Sequence, residues 1–535
     1  MKRTLLIVAF VLLFLTMAVS SAYAYEAFHG PNETIYYDKA NAFNGYTLFS
    51  PGMFPYHFLI DMEGNVVNSW FVPDKTWDCN PQLLDNGNVF YRGRGKGKAG
   101  GYREVDWDAK LVWKWDCPRE DLRPHHDQIR IFNKKINEHT TMAIVMKNLS
   151  HEDALAAGVD PEKCTSDSAP DGLIEIDMKG NIIWEWWSWD HTIQGFDSTK
   201  AKYVGKGKTI ADHPGKLDMN WGRGVRRDLV HFNSLDYNPA LDQVVANAST
   251  QSEFWVIDYG ATFIPGDYEQ SKKLAAGPKG DILYRWGNPS IYGAGKGPSF
   301  EYGIDSLGDQ QVFFSHDIQW IKQGLPGAGN FMLFDNNSRR PGPTFSRLIE
   351  VNPYDGPMEK GVYVPEMKAG HQRNGKSKQI VWDFNSGHPN SFYSRHISGT
   401  QRLPNGNTLA CSGMHGHFFE VTKKGEVVWE YIQPVSHHIR GGTPMVFTSG
   451  MDVRDITVGM EAPPGGPITF HTFRCYRYGP NHPGLKGKDL TPKGKITELW
   501  AAGKLPVPER EPGPEGKGKG KGKGKGKGKG KGKGK

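Results

Sequence analysis

A β-hairpin that ends in tryptophan recurs along most of the chain, and this repeat constrains the fold more than any other feature. Each copy has a short strand rich in β-branched and aromatic residues, a turn containing Gly, Asn, Asp or Lys, and a second strand that ends in tryptophan. Six copies end at Trp70, Trp113, Trp184, Trp286, Trp382 and Trp429. The pattern indicates one supersecondary unit used six times.

A second hairpin precedes five of these copies, over residues 82–90, 129–145, 235–246, 320–334 and 402–410. Together the two hairpins make a four-stranded antiparallel sheet, which cannot bury both of its faces alone. We therefore predict an all-β fold, a six-bladed β-propeller of four-stranded antiparallel blades over residues 46–505, in which the segment 467–478 closes the ring. A β-sandwich with a small extra domain is the alternative. Helix signals are nearly absent, and the best lies at residues 152–157 in an insertion.

Residues 1–24 have the pattern of a secretory signal peptide. Lys2 and Arg3 precede an apolar stretch from Leu5 to Val19, and Ala22-Tyr-Ala24 fits a cleavage site. The apolar stretch is shorter than the roughly 20 residues that span a membrane. We therefore expect a periplasmic or secreted protein, with a lead-in segment over residues 25–45 before the propeller.

The chain ends in a Pro- and Gly-rich segment from Pro506 that continues as alternating Gly and Lys from Lys517 to Lys535. The alternation has no apolar residue to bury, so we predict a disordered cationic tail over residues 506–535. Removing its ten lysines, together with Lys2 and Arg3, from the formal net charge of +7 leaves −5. This charge gives nucleic-acid binding by the folded part no support. The expected partner of the tail is an anionic surface or polysaccharide, and the alternative is a solubilising role.

Histidine recurs at the start of the first hairpin in four of the units. The positions are His126, in the pair His125-His126, and then His231, His316 and His396. The innermost strand of each propeller blade lines the central channel, so residues at its start face a common centre. A single histidine of this kind is normally structural, but four at equivalent positions predict a shared functional site.

A ring of imidazoles suits two kinds of chemistry, either zinc or copper binding or nucleophilic and acid–base catalysis. The segment Asp335–Arg340 follows the His316 strand, and Arg339 or Arg340 suits a tetrahedral oxyanion better than a metal dication. The five cysteines are widely spaced and include no Cys-x-x-Cys pair, which argues against a cysteine zinc site and a disulfide framework, although an oxidising compartment would allow one or two bridges. We therefore expect a catalytic site for an anionic group, with no metal and no cofactor.

These features together resemble the bacterial arylsulfate sulfotransferases over roughly residues 45–500. The resemblance lies in the six hairpins, His231-x-Asn233-Ser234, His316 before a strand that ends in Asp335-Asn336, and Arg395-His396 leading into Leu403-Pro-Asn-Gly-Asn407. It implies transfer of a sulfuryl group from a phenolic sulfate ester to a phenolic acceptor through a sulfated histidine. It also implies that no nucleotide sulfate donor is used.

By position, the resemblance implies that His396 is the nucleophile. His231, His316 and Arg339 are then the other catalytic candidates, which act on the sulfuryl and phenolic oxygens. The candidate substrate-binding residues are Arg340, Asn233, Asn336, Thr472 and His126.

Two features depart from the family pattern. Full-length members usually carry a strand-rich domain before the propeller, where this chain has about 20 residues, and Ile318 stands where an asparagine is expected. One alternative function is a non-catalytic secreted propeller that binds a ligand or partner and is anchored by its lysine-rich tail. The other is a quinone-cofactor dehydrogenase, whose propellers usually have eight blades.

Overall fold

Six antiparallel blades of four strands each, one of them extended by a fifth edge strand, are arranged as a β-propeller, with one blade for each tryptophan-ended hairpin. The computed structural model describes residues 32–95, 100–222, 229–301, 304–342, 345–354, 363, 377–386, 392–438, 445–446 and 468–507. The predicted signal peptide and the cationic tail from residue 508 onward lie outside the described residues. The six-bladed prediction is confirmed.

The blades are numbered in chain order by their outer three strands, and the strands of each blade are given from the innermost to the outermost. Blade 1 has Thr472–Tyr478, Tyr46–Pro51, Tyr56–Ile60 and Val66–Phe71; blade 2 has Gln82–Leu83, Val89–Gly93, Gly101–Val105 and Leu111–Asp116; blade 3 has Leu122–Asn133, Glu138–Lys147, Asp171–Ile176 and Ile182–Trp187. Blade 4 has Phe232–Asn238, Gln243–Ala248, Glu253–Ile257 and Ile282–Trp286; blade 5 has His316–Trp320, Phe331–Asp335, Arg347–Val351 and Ile380–Phe384; blade 6 has Gly399–Arg402, Thr408–Ser412, His417–Val421 and Val427–Ile432.

Both ends of the described chain contribute to closing the ring. The late strand Thr472–Tyr478 pairs with the early strand Tyr46–Pro51, as the sequence predicts, and so completes blade 1. The strand Glu33–Tyr37 pairs with the outer strand of blade 6, which therefore has five strands. The sequence placed this strand in a lead-in without a usable pattern. An outermost strand is held mainly by main-chain pairing on one side, so its side chains carry a weak signal.

The tryptophans that end the hairpins connect neighbouring blades. The indole N–H of Trp70 donates to the Asp106 carbonyl in the turn of blade 2 at 3.0 Å, and that of Trp429 donates to the Met62 carbonyl in the turn of blade 1 at 2.8 Å. Equivalent bonds run from Trp113 to Met178 and from Trp382 to Lys423. The Trp184 N–H donates instead to the Thr262 hydroxyl, and the Trp286 N–H has no partner among the described residues. The repeat seen in the sequence is therefore an interblade contact, in which four of the six indoles bind a carbonyl of the next blade.

Apolar side chains fill the spaces between the blades. The largest described cluster joins blades 3 and 4 and includes Trp184, Trp186, Phe232 and Trp255. The α-helices lie in connections and at the chain end, at His151–Ala157, Tyr259–Thr262, Tyr268–Ala276 and Ile496–Ala501. The first of these was predicted, and the other three were not. No helix within the described ranges is long and apolar enough to cross a membrane.

Short 3-10 helices and strand pairs lie outside the blades. The 3-10 helices are Pro161–Lys163, Ser188–His191, Ile210–Asp212, Ser249–Gln251, Pro278–Gly280, Pro289–Tyr292, Gly413–His415 and Pro483–Leu485; the strands are Thr192–Ile193 with Leu217–Asp218, Ser299–Glu301 with Ile304–Ser306, and Val435–His438 with Met445–Val446 and Ile468–Thr469.

Candidate active site at the histidine end of the channel

β-Bulges interrupt the innermost strands of blades 3, 4 and 5 at the same level. In blade 4, for example, Phe232 pairs with Ala248 and Leu235 pairs with Ala246, so two residues oppose one. Blades 3 and 5 have comparable register shifts. A bulge bends a strand and redirects its side chains. The bulges therefore aim the histidines and their neighbours into the channel.

Backbone conformations with positive φ accompany these bulges. His126 has a φ of 54°, His231 one of 50°, Asp317 one of 55° and Ile397 one of 52°. Positive φ is uncommon for residues other than glycine and is a genuine outlier for a β-branched residue such as Ile397. Strained residues of this kind cluster at functional sites. The strain lies beside all four histidines that the sequence singled out.

The four predicted histidines lie together at one end of the channel. The rings of His126 and His231 meet edge to face, with their centroids 4.6 Å apart. Phe314 lies between His231 and His316, with ring centroids 6.2 Å and 5.7 Å away. His316 in turn supports the main chain next to His396.

His316 is a neutral imidazole whose two nitrogens are both engaged. Its Nδ1–H donates to Asn336 Oδ1 at 2.6 Å, and its Nε2 accepts the main-chain N–H of Ile397 at 3.2 Å. Burial lowers the pKa of His316 well below its ordinary value. The amide nitrogen of Asn336 also donates to the carbonyls of Ser394 and Ile397. His316 and Asn336 therefore hold the loop that carries His396.

His396 is half-buried, on the loop that His316 and Asn336 hold. Burial, with a smaller contribution from Arg395, lowers the pKa of His396, so the ring is neutral near pH 7. The hydroxyl of Ser394 donates to the His396 carbonyl at 3.1 Å, which fixes the main chain. A neutral imidazole on a rigid loop is a competent nucleophile.

The two candidate arginines have different surroundings. The Arg339 guanidinium carbon lies 5.3 Å above the ring of Phe314, which itself contacts His231 and His316, and the side chain is exposed. Arg340 stacks on Phe345 at 4.8 Å and donates to the Pro341 carbonyl. Arg339 is therefore the cation nearer to the histidines.

Other predicted residues have supporting positions. Asn233 is fully buried; its amide nitrogen donates to the Ser315 carbonyl at 2.9 Å, and its amide oxygen accepts from Asn247 and Ser234. Thr472 begins the closing strand and is fully buried, and its hydroxyl has no partner among the described residues. Ile318 packs in the core between blades 4 and 5, and so it is directed away from the histidines.

His471 and Arg474 also belong to the site, although neither was predicted from the sequence. His471 stands directly before the innermost strand of blade 1, the position that His231 has in blade 4, and its ring meets that of His396 with centroids 5.2 Å apart. His471 could have been found from the sequence, because a histidine stands at the same position, at the start of the innermost strand, in other blades. Arg474 is 1% exposed, and its guanidinium contacts Asp127, the Asn233 carbonyl and Asp317. One buried arginine therefore joins the bulges of blades 3, 4 and 5.

The charges around Arg474 separate the histidines from the rest of the channel. Beyond Arg474, a cavity of about 760 Å³ opens toward the other end of the ring and is lined by Asp127, Asp317, Trp320 and Tyr478 among others. None of the four predicted histidines lines that cavity. Burial raises the pKa of Asp317 to about 6, against the opposing effect of Arg474. Among the described residues, no group of three or more His, Cys, Asp or Glu side chains is placed to hold a metal ion.

Fold and site together define a six-bladed propeller with a cluster of neutral imidazoles and an arginine at one end of its channel, a site suited to group transfer to and from oxygen. The arylsulfotransferase (ASST) family model matches residues 32–441, and the chain belongs to this family. The family gives it arylsulfotransferase-type function in general, with phenolic sulfate donors and phenolic acceptors.

Solved structures with related folds are much more distant. A protein of unknown function from Bacteroides caccae is 11% identical, with a TM-score of 0.37, over 73% of this chain and 94% of that one. The periplasmic gluconolactonase of Pseudomonas aeruginosa is 9% identical, with a TM-score of 0.32, over 76% of this chain and 97% of that one. Likenesses at this level carry no conclusion about function. A search of curated proteins found no match.

Proposed function

We propose that this protein transfers a sulfuryl group from a phenolic sulfate ester to a phenolic acceptor through a sulfated His396, without a nucleotide sulfate donor. The observation that carries this proposal is the neutral, half-buried His396 on a loop fixed by His316 and Asn336. Such a ring can attack sulfur at neutral pH without first losing a proton.

The reaction has two displacement steps. In the first, a nitrogen of His396 attacks the sulfur of the donor, the N–S bond forms, and the bond from sulfur to the phenolic oxygen breaks. In the second, the acceptor oxygen attacks the same sulfur, and His396 leaves with its electron pair. Transfer of this kind has charge on the equatorial oxygens of the transferring group, so positioned donors supply most of the catalysis.

The neighbouring residues have distinct proposed roles. Arg339, on the face of Phe314, neutralises the sulfuryl oxygens, and His231, which packs on the same ring, helps to hold them. His316, Asn336 and Asn233 act as supports, because their polar atoms are engaged within the protein. Thr472 and Arg340 remain proposed substrate contacts. Because position 318 is isoleucine and not the expected asparagine, Asn336 is the residue that supports the loop carrying His396.

The proposed location is the periplasm or the exterior of the cell, as the sequence pattern of residues 1–24 indicates. A non-catalytic propeller anchored by its lysine-rich tail is the alternative. The quinone-dehydrogenase reading is less favoured because its propellers usually have eight blades, and this one has six.

Turnover of 4-nitrophenyl sulfate in the presence of phenolic acceptors tests the proposal. We expect the purified protein to release nitrophenol beyond about one equivalent per protein only when a phenol is present, to form the new phenyl sulfate in an amount equal to this further release, and to need no nucleotide donor. His396→Ala should abolish release while its thermal unfolding stays close to that of the wild type. If the wild type releases no nitrophenol with a range of phenols, the non-catalytic, ligand-binding propeller would be the better account.

A further inference from the structure

Three polar side chains of blade 3, Asp171, His125 and His126, contact one another in a row between the protein interior and the histidine cluster. His125 Nε2 lies 2.7 Å from Asp171 Oδ1, and His125 Nδ1 lies 2.6 Å from His126 Nδ1. Asp171 is fully buried and His125 is 8% exposed. The contact between His125 and Asp171 has the distance of an ion pair but is not aligned as a hydrogen bond, and hydrogen bonds in catalytic sites are often poorly aligned until the substrate binds.

The line ends at the candidate active site. His126 lies at the bulge of the innermost strand, with a φ of 54°, and it is only half-buried. Its ring meets that of His231 at 4.6 Å. Its Nδ1 is occupied by His125, so Nε2 is the nitrogen that remains for a substrate. The charged and titratable groups that face His126 are His231, His125, Arg92 and His316.

The proposal concerns proton transfer and rests on the proposed sulfuryl-transfer function. We propose that Asp171, His125 and His126 form a proton relay that serves the phenolic oxygens of the donor and the acceptor. His126 is the residue that touches the substrate, whereas His125 and Asp171 are positioning residues that act through it. A buried carboxylate behind an imidazole fixes its tautomer and stabilises the imidazolium form.

The relay balances over the two steps. The relay requires that His125 hold a proton on each nitrogen when the donor binds, with Nε2–H toward the Asp171 carboxylate and Nδ1–H donating to His126 Nδ1. When the donor S–O bond breaks, His126 Nε2–H passes its proton to the leaving phenolic oxygen, and the Nδ1 proton moves from His125 to His126. In the second step the acceptor O–H gives its proton to His126 Nε2, and the Nδ1 proton returns to His125. No proton is gained or lost overall.

The leaving-group dependence of the first step distinguishes a relay from a structural network. Nitrophenolate is a stable anion that leaves without a proton, whereas unsubstituted phenolate is more basic and needs one. Proton transfer from a positioned side chain contributes about 10²- to 10⁴-fold to a rate. Loss of the relay should therefore slow phenyl sulfate cleavage strongly and 4-nitrophenyl sulfate cleavage weakly.

The experiment measures kcat/KM for both donors in the wild type, Asp171→Asn, His125→Gln and the control His139→Gln. His139 is exposed on the neighbouring strand of the same blade, outside the histidine cluster. In Asp171→Asn and His125→Gln we expect a loss of about 100-fold with phenyl sulfate and of less than about threefold with 4-nitrophenyl sulfate. Gln at position 125 can still hydrogen bond to Asp171 but cannot pass a proton, so it separates the relay from a structural role.

The outcomes separate the relay from the function on which it rests. Equal losses with the two donors, or wild-type rates in both variants, would overturn the relay and leave sulfuryl transfer standing. A wild type that cleaves neither donor would overturn both. If Asp171→Asn does not fold, the comparison of His125→Gln with the wild type decides, because that variant leaves the Asp171 charge in place.

Discussion

At the scale of single residues, the protein keeps several histidines neutral inside the fold. Burial lowers the pKa of His57, His126 and His316 well below the ordinary value, lowers that of His396, and lowers that of His415 to about 4. This keeps a nitrogen lone pair on each ring at neutral pH. It also links the stability of the fold to pH.

The direction of this pH dependence follows from the lowered pKa values. The unfolded chain protonates its histidines near pH 6.5, whereas the folded protein protonates these rings only at lower pH. The unfolded state therefore binds more protons in between, and stability present above about pH 6.5 is lost as the pH falls, by up to about 1.4 kcal/mol per pH unit for each histidine. Asp317, whose pKa is raised to about 6, opposes this trend, and so do Glu175, Glu253 and Asp335, because burial also raises the pKa of each of these carboxyls.

Urea denaturation at about pH 7.5 and about pH 5.5 measures this effect as a difference in the free energy of unfolding. We expect clearly lower stability at the lower pH. His57 is fully buried, and neither of its ring nitrogens has a partner among the described residues. In His57→Leu the unfolded state should therefore bind about one proton fewer relative to the folded state, and the change in the free energy of unfolding between the two pH values should be smaller. Equal stability of the wild type at the two pH values would contradict this account.

His126, His231, His316 and His396 were predictable from the sequence because repetition places them at equivalent points of the blades. The contact between His125 and Asp171 was not predictable, because the two residues are far apart in the chain and only the pairing of strands brings them together. His471 was missed for a related reason. Its strand comes at the end of the chain and belongs to the blade that the N-terminal strands begin.

At the scale of structural elements, the closing strand Thr472–Tyr478 links the fold to the site through two buried arginines. Arg474 joins the bulges of blades 3, 4 and 5, as described above. Arg477 forms an ion pair with Glu420 in blade 6 and lies 4.2 Å from the ring of Trp429. The two side chains are equally buried but face different neighbours.

Arg474→Met and Arg477→Met form a matched pair of tests. Each removes one partner of a buried ion pair and should destabilise the protein by about 3–5 kcal/mol. Only Arg474→Met removes the contacts that hold the bulges next to the histidines. A displacement of a catalytic side chain by about 1 Å can lower the rate about 100-fold. Measured where both variants remain folded, kcat should fall strongly in Arg474→Met and little in Arg477→Met. Equal kcat values for the two variants would show that the bulges need no central cation.

The hairpins were predictable at this scale, and the bulges were not. Tryptophan-ended strands give a local pattern, because each indole packs in an apolar cluster and four of the six donate to a carbonyl of the next blade. A bulge such as that at Asn233–Ser234 depends on pairing with a second strand, here at Asn247. The additional edge strand Glu33–Tyr37 likewise depends on a partner almost 400 positions away.

At the scale of the whole molecule, the ring arrangement explains how distant parts of the chain form one site. The blades contribute His126, His231, His316, His396 and His471 from five different sheets. The fold class and six-blade count were predictable because the repeat is visible in the sequence. The division of the channel by Arg474 into a histidine end and a separate cavity was not, since it depends on one side chain that reaches three other blades.

Mass spectrometry of the protein quenched during reaction with 4-nitrophenyl sulfate, without an acceptor, tests the central claim most directly. We predict one added SO₃ group on the peptide that contains His396, its loss when a phenol is added, and its absence in His396→Ala. Nitrophenol release by the wild type without any such group on His396, or with the group on another histidine, would contradict the proposed nucleophile.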